Sequence, residues 1–309
     1  MMVDDKHSED NHTLNSPTEI PKKCWKSILF RIKGQLTYNH ISIVAAGVTF
    51  YSFLAIFPAI AAIISIYGLA VDAETVQLQL DQLTSALPEQ AHALLSTQLS
   101  ELANRSPSTL SIGALVSFLL AIWSAKKGAN AVIEGIDIAY GSKSSRSYVH
   151  KTLLTLVFTA GGILLAIACS ALVVGLPAAL TTLNLSEPMD LTLRVIRWGV
   201  LAGILLISLA IIYRYAPSRP TPQWRWVTPG AVVAICLWLL ASSAFSYYVS
   251  HFNSYNKTYG SLAAVVILQM WTFVSSYIVL LGAEINSEME RQTIIQTEDG
   301  HQKCELVDS

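Results

Sequence analysis

Charged side chains are scarce in this sequence. Only 13% of the 309 residues are Asp, Glu, Lys or Arg, whereas 52% are hydrophobic. A soluble globular domain carries about 25% charged residues. These few ionic groups cannot cover the surface of a chain of this length in water. Lipid must therefore cover much of that surface. The net charge of −1 also provides no overall basic field for binding nucleic acid.

Several sequence motifs of catalysis are missing. The phosphate-binding formula GxxxxGK[ST] does not occur, and neither do GxSxG or HExxH. The histidines are too dispersed to form a zinc-binding cluster, and no two cysteines form a CxxC pair. We therefore expect no enzymatic activity, no metal site and no cofactor. We also expect the four cysteines to be free thiols, namely Cys24, Cys169, Cys236 and Cys304.

Long apolar runs predict an all-α, polytopic membrane protein with six transmembrane helices. Each run holds about 20 or more mostly apolar residues, which is enough to cross about 30 Å of hydrocarbon. We expect a disordered cytoplasmic tail over residues 1–24, a six-helix domain over residues 25–290 and a cytoplasmic tail over residues 291–309. The predicted spans cover residues 41–71, 109–140, 153–183, 195–213, 227–249 and 261–284.

The distribution of basic residues predicts the orientation of the chain. With six spans, 16 of the 20 lysines and arginines fall in the two tails and in the second and fourth connections. Cytoplasmic connections are enriched in these residues, so both termini are expected in the cytoplasm. The four basic residues expected on the opposite side are Arg105, Arg194, Arg197 and Lys257.

The connection between the first two spans has a helical pattern of its own. Val76, Leu80, Leu83 and Leu87 recur at helical spacing, and a second such series follows Pro88. We expect residues 72–107 to form an amphipathic helical pair on the outer face. The pair either packs against the protein's own helices or binds a partner or lipid.

Two of the predicted spans contain residues that interrupt helices. Pro58 lies within the first span, and Gly175 and Pro177 lie within the third. Proline removes a backbone donor and clashes with the preceding turn, so we expect a kink or break at these positions. Broken helices expose backbone groups to substrate in several transporter folds, whereas the alternative is an ordinary kink packed against a neighbour.

A polar stripe follows the apolar core of the second span. Lys127, Asn130, Glu134 and Asp137 are spaced at i, i+3, i+7 and i+10, which places them on one helical face. These residues are candidates for lining a cavity or contacting substrate. The alternative is that their charges only reach water and headgroups at the interface.

The fifth and sixth spans contain further polar signals. Gln269 should lie near the middle of the sixth span, where a buried amide needs a partner from another helix or from substrate. Glu284, near its cytoplasmic end, is a candidate for pairing with Arg214 or with a lysine of the second connection. Thr228 and Pro229 resemble an N-cap and a first helical residue, so we expect the fifth helix to begin there.

Five stretches together resemble the YihY/BrkB family of bacterial inner-membrane proteins, and the resemblance extends from about Cys24 to Arg291. It implies a six-helix protein of the bacterial inner membrane. The family has been linked to serum resistance and to export of lipid or lipopolysaccharide precursors, and it carries an older label as ribonuclease BN. The stretches are Ala45–Ile60, Trp123–Gly141, Trp224–Val249, Tyr255–Val266 and Leu280–Arg291.

Two functional hypotheses remain open from the sequence. The first is a transporter or flippase-like protein for a lipid or another envelope metabolite, without ATP hydrolysis of its own. The second is an envelope scaffold that holds a protein partner or a second copy of the chain. Both involve membrane lipids as partners and exclude nucleic acid, so a ribonuclease activity is disfavoured.

The predicted topology has a direct test. A reporter fused after Gln90 should lie on the opposite side of the membrane from a reporter fused after Ser309. The reason is that one span precedes the first site and five more precede the second. Paired reporters that are active in the periplasm or in the cytoplasm measure this. Finding both fusion sites on the same side would contradict the arrangement.

Overall fold

A computed structural model of the chain describes residues 24–70, 107–142, 146–176, 187–219, 224–251 and 261–298. Within these ranges the regular structure is entirely helical. The α-helices are α1 (Cys24–Tyr38), α2 (Ile41–Ala70), α3 (Pro107–Ala139), α4 (Tyr148–Ser170), α5 (Glu187–Tyr215), α6 (Trp224–His251) and α7 (Ser261–Glu298). A π-helical turn, Ala171–Gly175, continues α4.

The predicted six-helix membrane architecture is confirmed. In the described part of the chain, six helices (α2 to α7) are long and apolar enough to cross a membrane. Large apolar side chains point outward along these helices instead of filling an interior. Examples are Ile43, Leu119, Leu164, Ile207 and Leu240, each at least 57% exposed. Such a surface is stable only against hydrocarbon.

The helix bounds differ from the predicted spans at several places. Helix α1 precedes the first span and was not predicted, and α7 continues beyond residue 284 to Glu298. The predicted amphipathic pair over residues 72–107 falls outside the described residues, except for Pro107 at the start of α3.

The predicted helix breaks have different outcomes. Helix α2 is continuous across Pro58, so the first span is not divided into two half-helices. Gly175 does lie in an irregular segment, because it ends the π-helical turn after α4. Pro177 falls outside the described residues. Helix α6 begins at Trp224, which places Pro229 inside the helix and corrects the expected start at Thr228.

One cysteine also corrects an expectation. Cys24 is fully buried at the start of α1 and is disulfide-bonded, whereas Cys169 and Cys236 are free thiols. A disulfide depends on which cysteines meet in space, and their spacing along the chain does not reveal this.

The chain divides into two compact units. The first contains the residues up to Val48 and those from Asn130 onward, and the second contains Thr49–Ala129. In the first unit, α7 packs along α6 and against α1, and α5 packs on α6. In the second unit, Gly128 lies close to Ser52, where an added Cβ would be 3.6 Å from the Ser52 hydroxyl.

Two glycines bring α6 and α7 into backbone contact in the first unit. A Cβ atom on Gly230 would collide with the Gly282 carbonyl oxygen. A Cβ atom on Gly282 would lie 2.9 Å from the Gly230 carbonyl oxygen and 3.0 Å from the Ala234 Cβ, and would also collide with the Tyr213 hydroxyl. Small residues allow this close approach, which is typical of helix packing in membranes.

Replacing Gly282 should therefore destabilise the protein. We expect Gly282→Ala to lower the unfolding temperature of the purified protein in detergent, at a cost of about 1–3 kcal/mol for overpacking. Gly203→Ala on α5 is the matched control. Apart from its chain neighbours and its own helix backbone, no atom of the described residues lies within 4 Å of the added methyl group. Alanine also favours helix by about 1 kcal/mol, so this variant should be neutral or more stable. Equal unfolding temperatures for the two variants would contradict the close contact.

Candidate functional site

The carboxyl-terminal half of α7 carries a cluster of buried polar side chains in a membrane-spanning helix. Glu284, Asn286, Ser287 and Glu288 are each no more than 2% exposed. Ionisable groups in a transmembrane segment are costly unless they are paired, and they often mark a functional pathway. The partners of these side chains therefore define the candidate site.

One face of this part of α7 is directed toward α1. Glu284, Glu288 and Arg291 lie on it at i, i+4 and i+7. Glu288 is held between two guanidinium groups. Its Oε2 lies 2.9 Å from Arg31 Nε of α1, and its Oε1 lies 3.2 Å from Arg291 Nη1. The buried charge of Glu288 is thus well compensated.

Apolar contacts attach α1 to the same face. Cys24, Ile28 and Ile32 of α1 are spaced at i, i+4 and i+8, and they form one buried cluster with Met289 of α7. This packing brings the basic side chain of Arg31 to the buried Glu288 carboxylate.

Glu284 has a different environment from Glu288. Its Oε1 accepts a hydrogen bond from Asn39 Nδ2 at 2.6 Å. Its other oxygen, Oε2, is buried and has no hydrogen-bond partner within the described ranges. Those ranges also place no basic side chain within ion-pair distance of Glu284.

The tight connection between α1 and α2 positions Asn39. Asn39 N donates to Gln35 O at 2.8 Å, and the next residue, His40, has a φ of 50° in the left-handed region. Histidine adopts that region more readily than most residues. Ile43 N then donates to His40 O at 2.8 Å as α2 begins. The turn thus presents the Asn39 amide to α7.

Asn286 connects α7 to the first turns of α6. The Gly230 backbone N–H donates to Asn286 Oδ1 at 2.7 Å, and Asn286 Nδ2 donates to Val227 O at 3.0 Å. Both bonds are buried. Pro229 disturbs the regular backbone bonding of this helix, and the Asn286 amide supplies polar partners there.

The segment that follows α5 is held by polar contacts to α3 and α7. Asp137, at the end of α3, accepts hydrogen bonds from Ser218 N at 2.6 Å and from Ser218 Oγ at 2.9 Å. Arg219 Nη1 lies 2.6 Å from Glu290 Oε2 of α7, and the Arg219 guanidinium carbon lies 3.9 Å from the centroid of the Tyr140 ring. The guanidinium group thus stacks on an aromatic face while it neutralises a carboxylate.

Arg146 completes this arrangement from the connection between α3 and α4. Its guanidinium donates to three consecutive carbonyl oxygens, at 3.2 Å to Tyr215, 2.9 Å to Ala216 and 2.6 Å to Pro217. These are carbonyls at the end of α5, which lack partners within the helix.

The structure separates the residues of the predicted polar stripe. Asp137 is buried, as just described, but Asn130 and Lys151 both donate to Glu134 Oε1 on an exposed surface, at 3.0 Å and 2.7 Å. Lys127 belongs to the other compact unit, where its ammonium lies 5.9 Å from the Trp123 ring centroid. Within the first unit, Asn130 and Glu134 therefore do not share the buried environment of Asp137.

Two expectations for α7 require correction. Gln269 is exposed on the helix surface and is not a buried amide. Glu284 bonds to Asn39, and among the described residues neither Arg214 nor Lys151 lies within ion-pair distance of it. A predicted helical face identifies neighbours on one helix, but it does not reveal which other helix approaches that face.

Several residues of the cluster were not predicted from the sequence. These are Arg31, Asn39, Asn286, Glu288, Arg219 and Tyr140. The sequence nevertheless contained a signal for each of the two helices, α1 and α7, that form the cluster. The spacing of Cys24, Ile28 and Ile32 indicates an amphipathic helix ahead of the first span, and the stretch Leu280–Arg291 places several polar residues at the end of an apolar run.

Removing one member of the buried ion pair should destabilise the protein. We expect Arg31→Met to cost about 3 kcal/mol, because it leaves the buried Glu288 carboxylate with only the longer Arg291 contact. Lys151→Met, which breaks the exposed pair with Glu134, should cost less than about 1 kcal/mol. Thermal unfolding in detergent measures both changes. The double variant with Glu288→Met should recover much of the loss, and a double variant less stable than Arg31→Met would contradict this account.

Comparisons with known proteins place these features in a family. The sequence profile described as Virulence factor BrkB matches residues 32–305, which includes Asn39 and all of α7. No solved structure matches the chain.

Curated relatives carry two kinds of names. A Bacillus subtilis (strain 168) protein named as ribonuclease-like is 33% identical over 64% of this chain and 72% of its own length. A UPF0761 membrane protein of Idiomarina loihiensis is 27% identical over 66% of this chain and 69% of its own. One from Vibrio vulnificus (strain YJ016) is 26% identical over 91% of this chain and 88% of its own. The chain therefore belongs to the BrkB family of membrane proteins, the family that its motifs resemble.

Proposed function

We propose that this protein is a transporter that moves a lipid or another amphipathic envelope metabolite across the bacterial inner membrane. The observation that supports this most strongly is the buried Glu284 on a membrane-spanning helix. Its Oε2 has no hydrogen-bond partner in the described part of the chain, and no basic group there pairs with it. A purely structural side chain at that depth gains nothing from such a charge, whereas transport pathways use one.

The irregular end of α4 agrees with this proposal. The π-helical turn Ala171–Gly175 interrupts the regular bonding of a spanning helix. Single π-turns occur frequently at functional sites. Backbone irregularity at membrane depth is tolerated where it is buried in protein or lines a cavity.

The proposal includes an orientation. Because six spans return the chain to its starting side, and because basic residues concentrate on that side, both termini lie in the cytoplasm. Glu284, Glu288 and Arg31 then lie near the cytoplasmic end of the membrane domain. The energy for transport comes from a gradient or from a partner protein, since the sequence contains no Walker A motif.

An enzymatic role receives less support. The ribonuclease-like name belongs to the Bacillus subtilis relative. In this chain the buried acids are enclosed between helices and bonded to Arg31, Arg291 and Asn39. That geometry does not present carboxylates to an RNA phosphate in an open cleft. We therefore propose that the chain is not an enzyme.

The alternative function is a non-transporting envelope scaffold. It would use residues 72–107 to hold an envelope protein or a second copy of the chain. A scaffold needs an accessible surface, and it does not need the buried polar cluster on α7. The two functions are therefore separable by variants in that cluster.

Reconstitution tests the proposal directly. The purified chain is inserted into vesicles of bacterial polar lipids that contain a fluorescent, head-group-labelled phosphatidylethanolamine, and translocation is followed by quenching of the outer leaflet with dithionite. We expect translocation several times faster than in protein-free vesicles. Glu284→Gln should reduce the rate at least tenfold, because it removes the buried titratable group.

A matched variant makes the outcome specific. Glu134→Gln carries the same change at an exposed position of the first unit, where Glu134 pairs with Lys151, and it should retain the wild-type rate. Wild-type vesicles that are indistinguishable from protein-free vesicles, both for this probe and for any lipid that accumulates in a deletion strain, would favour the scaffold. Loss of translocation in Glu134→Gln alone would instead indicate that the transport pathway runs along the exposed surface that carries Glu134.

A further inference from the structure

We propose that Glu284 is a proton-binding site, and that loading and release of this proton is the step that couples transport to the proton gradient. The coupling rests on the proposed transport function, whereas the proton site itself does not. Nothing in the family description or in the names of the relatives assigns a role to this residue.

Comparison with the other carboxylates described in the first unit distinguishes Glu284. Both oxygens of the buried Asp137 accept hydrogen bonds from Ser218, and the glutamates other than Glu284 have cationic partners. Glu288 is held by Arg31 and Arg291, Glu290 by Arg219, and Glu134 by Lys151. Each of them can keep its negative charge because a cation lies within 3.2 Å. Glu284 is 1% exposed and is bonded to the neutral Asn39 amide. Its charged form is therefore poorly stabilised, and its protonated form is neutral.

The groups around Glu284 also allow its carboxyl group to gain and lose a proton. On its own helix, Glu288 and Arg291 follow Glu284 by one and two turns and are paired with each other, and Arg31 of α1 is bound to Glu288. His40 follows Asn39 in the turn, and α5 contributes Tyr213, whose hydroxyl donates to the Val279 carbonyl at 2.7 Å. Toward α6, the bonds of α7 are made by the neutral Asn286. Among the described residues, no element therefore presents a cation within ion-pair distance of the Glu284 carboxylate.

A proton fits this site better than a metal cation. Metal cations such as Ca²⁺ and Mg²⁺ require about six oxygen ligands. The described ranges contain no group of three or more His, Cys, Asp or Glu residues that could hold a metal ion. A proton needs only one oxygen, and Oε2 of Glu284 is a buried oxygen whose bonding capacity is unused.

Asn39 provides a means of responding to the proton. In the charged state its Nδ2 donates to Glu284 Oε1. When a proton adds to the carboxylate, Glu284 gains an O–H donor, and rotation of the Asn39 amide presents its Oδ1 as the acceptor. Asn39 lies in the turn immediately before α2, so this exchange acts on the start of a spanning helix. Release of the proton restores the carboxylate and the original hydrogen bond.

The proton site can be tested without any transport substrate. Infrared difference spectra of the purified full chain in lipid nanodiscs are recorded over a pH titration, and the C=O stretching band of protonated carboxyl groups is followed. We expect a band of a buried carboxyl group that Glu284→Gln removes. Glu290→Gln, an acid on the same helix that is paired with Arg219, should leave it unchanged.

A second variant distinguishes loss of the proton site from a failure of Glu284→Gln to fold. Glu284→Asp retains a carboxyl group and should shift the band in frequency without removing it. If all bands are identical in the wild type, Glu284→Gln and Glu284→Asp, the proton-site proposal is wrong. Titration should be the same when sodium chloride is replaced by choline chloride, and competition by sodium would instead indicate a metal cation and overturn the proposal.

A separate measurement tests coupling. Vesicles with the fluorescent phosphatidylethanolamine are compared with and without an imposed pH gradient. We expect the wild-type rate to rise several-fold with the gradient and the residual rate of Glu284→Gln to be independent of it. If the Glu284 band is present but no translocation occurs, the proton site is supported and the transport function is wrong. Translocation that is insensitive to the gradient leaves transport standing and rejects coupling.

Discussion

The arrangement of the first compact unit depends on compensating charge on α7. A helix that carries three glutamates and an asparagine within a spanning segment is stable only if other elements supply matching polar groups. Those groups come from α1 and its turn, which supply Arg31 and Asn39, and from the first turns of α6, which supply backbone groups. A further contact from the end of α5 reaches Glu290 through Arg219. The positions of α1, α5 and α6 are thus fixed by what α7 requires.

The acids of the first unit are not equally well paired, and this difference distinguishes Glu284 from the acids that chiefly support folding. Glu288, Glu290 and Asp137 each receive two hydrogen bonds or a basic partner, so their removal chiefly affects folding. Glu284 lies one helical turn before Glu288 and is as deeply buried, yet only one of its oxygens has a hydrogen-bond partner in the described part of the chain. The two neighbouring acids therefore have different environments.

The sequence was sufficient for the six-span architecture, because a spanning helix requires a long apolar run and such runs are visible in the residue order. It also identified Glu284 and Asp137 as polar residues at positions where burial of a polar side chain is energetically unfavourable. The environment of each could not be predicted, since helical periodicity shows which residues share a face and not which helix approaches that face. Gln269 illustrates the limit: its helical position suggested a buried amide, but its side chain is exposed in the described part of the chain. Helix α1 was missed because its basic residues resembled a polar tail.

The backbone contact between α6 and α7 has a consequence for motion. Gly230 and Gly282 leave no room for a side chain between the two helices, and Asn286 joins them again one turn farther along α7. Helices that touch through their main chains cannot slide or roll past each other without breaking several bonds at once. Any alternation between inward-open and outward-open forms must then treat α6 and α7 as a single rigid body, and the mobile partner must be sought among the remaining helices.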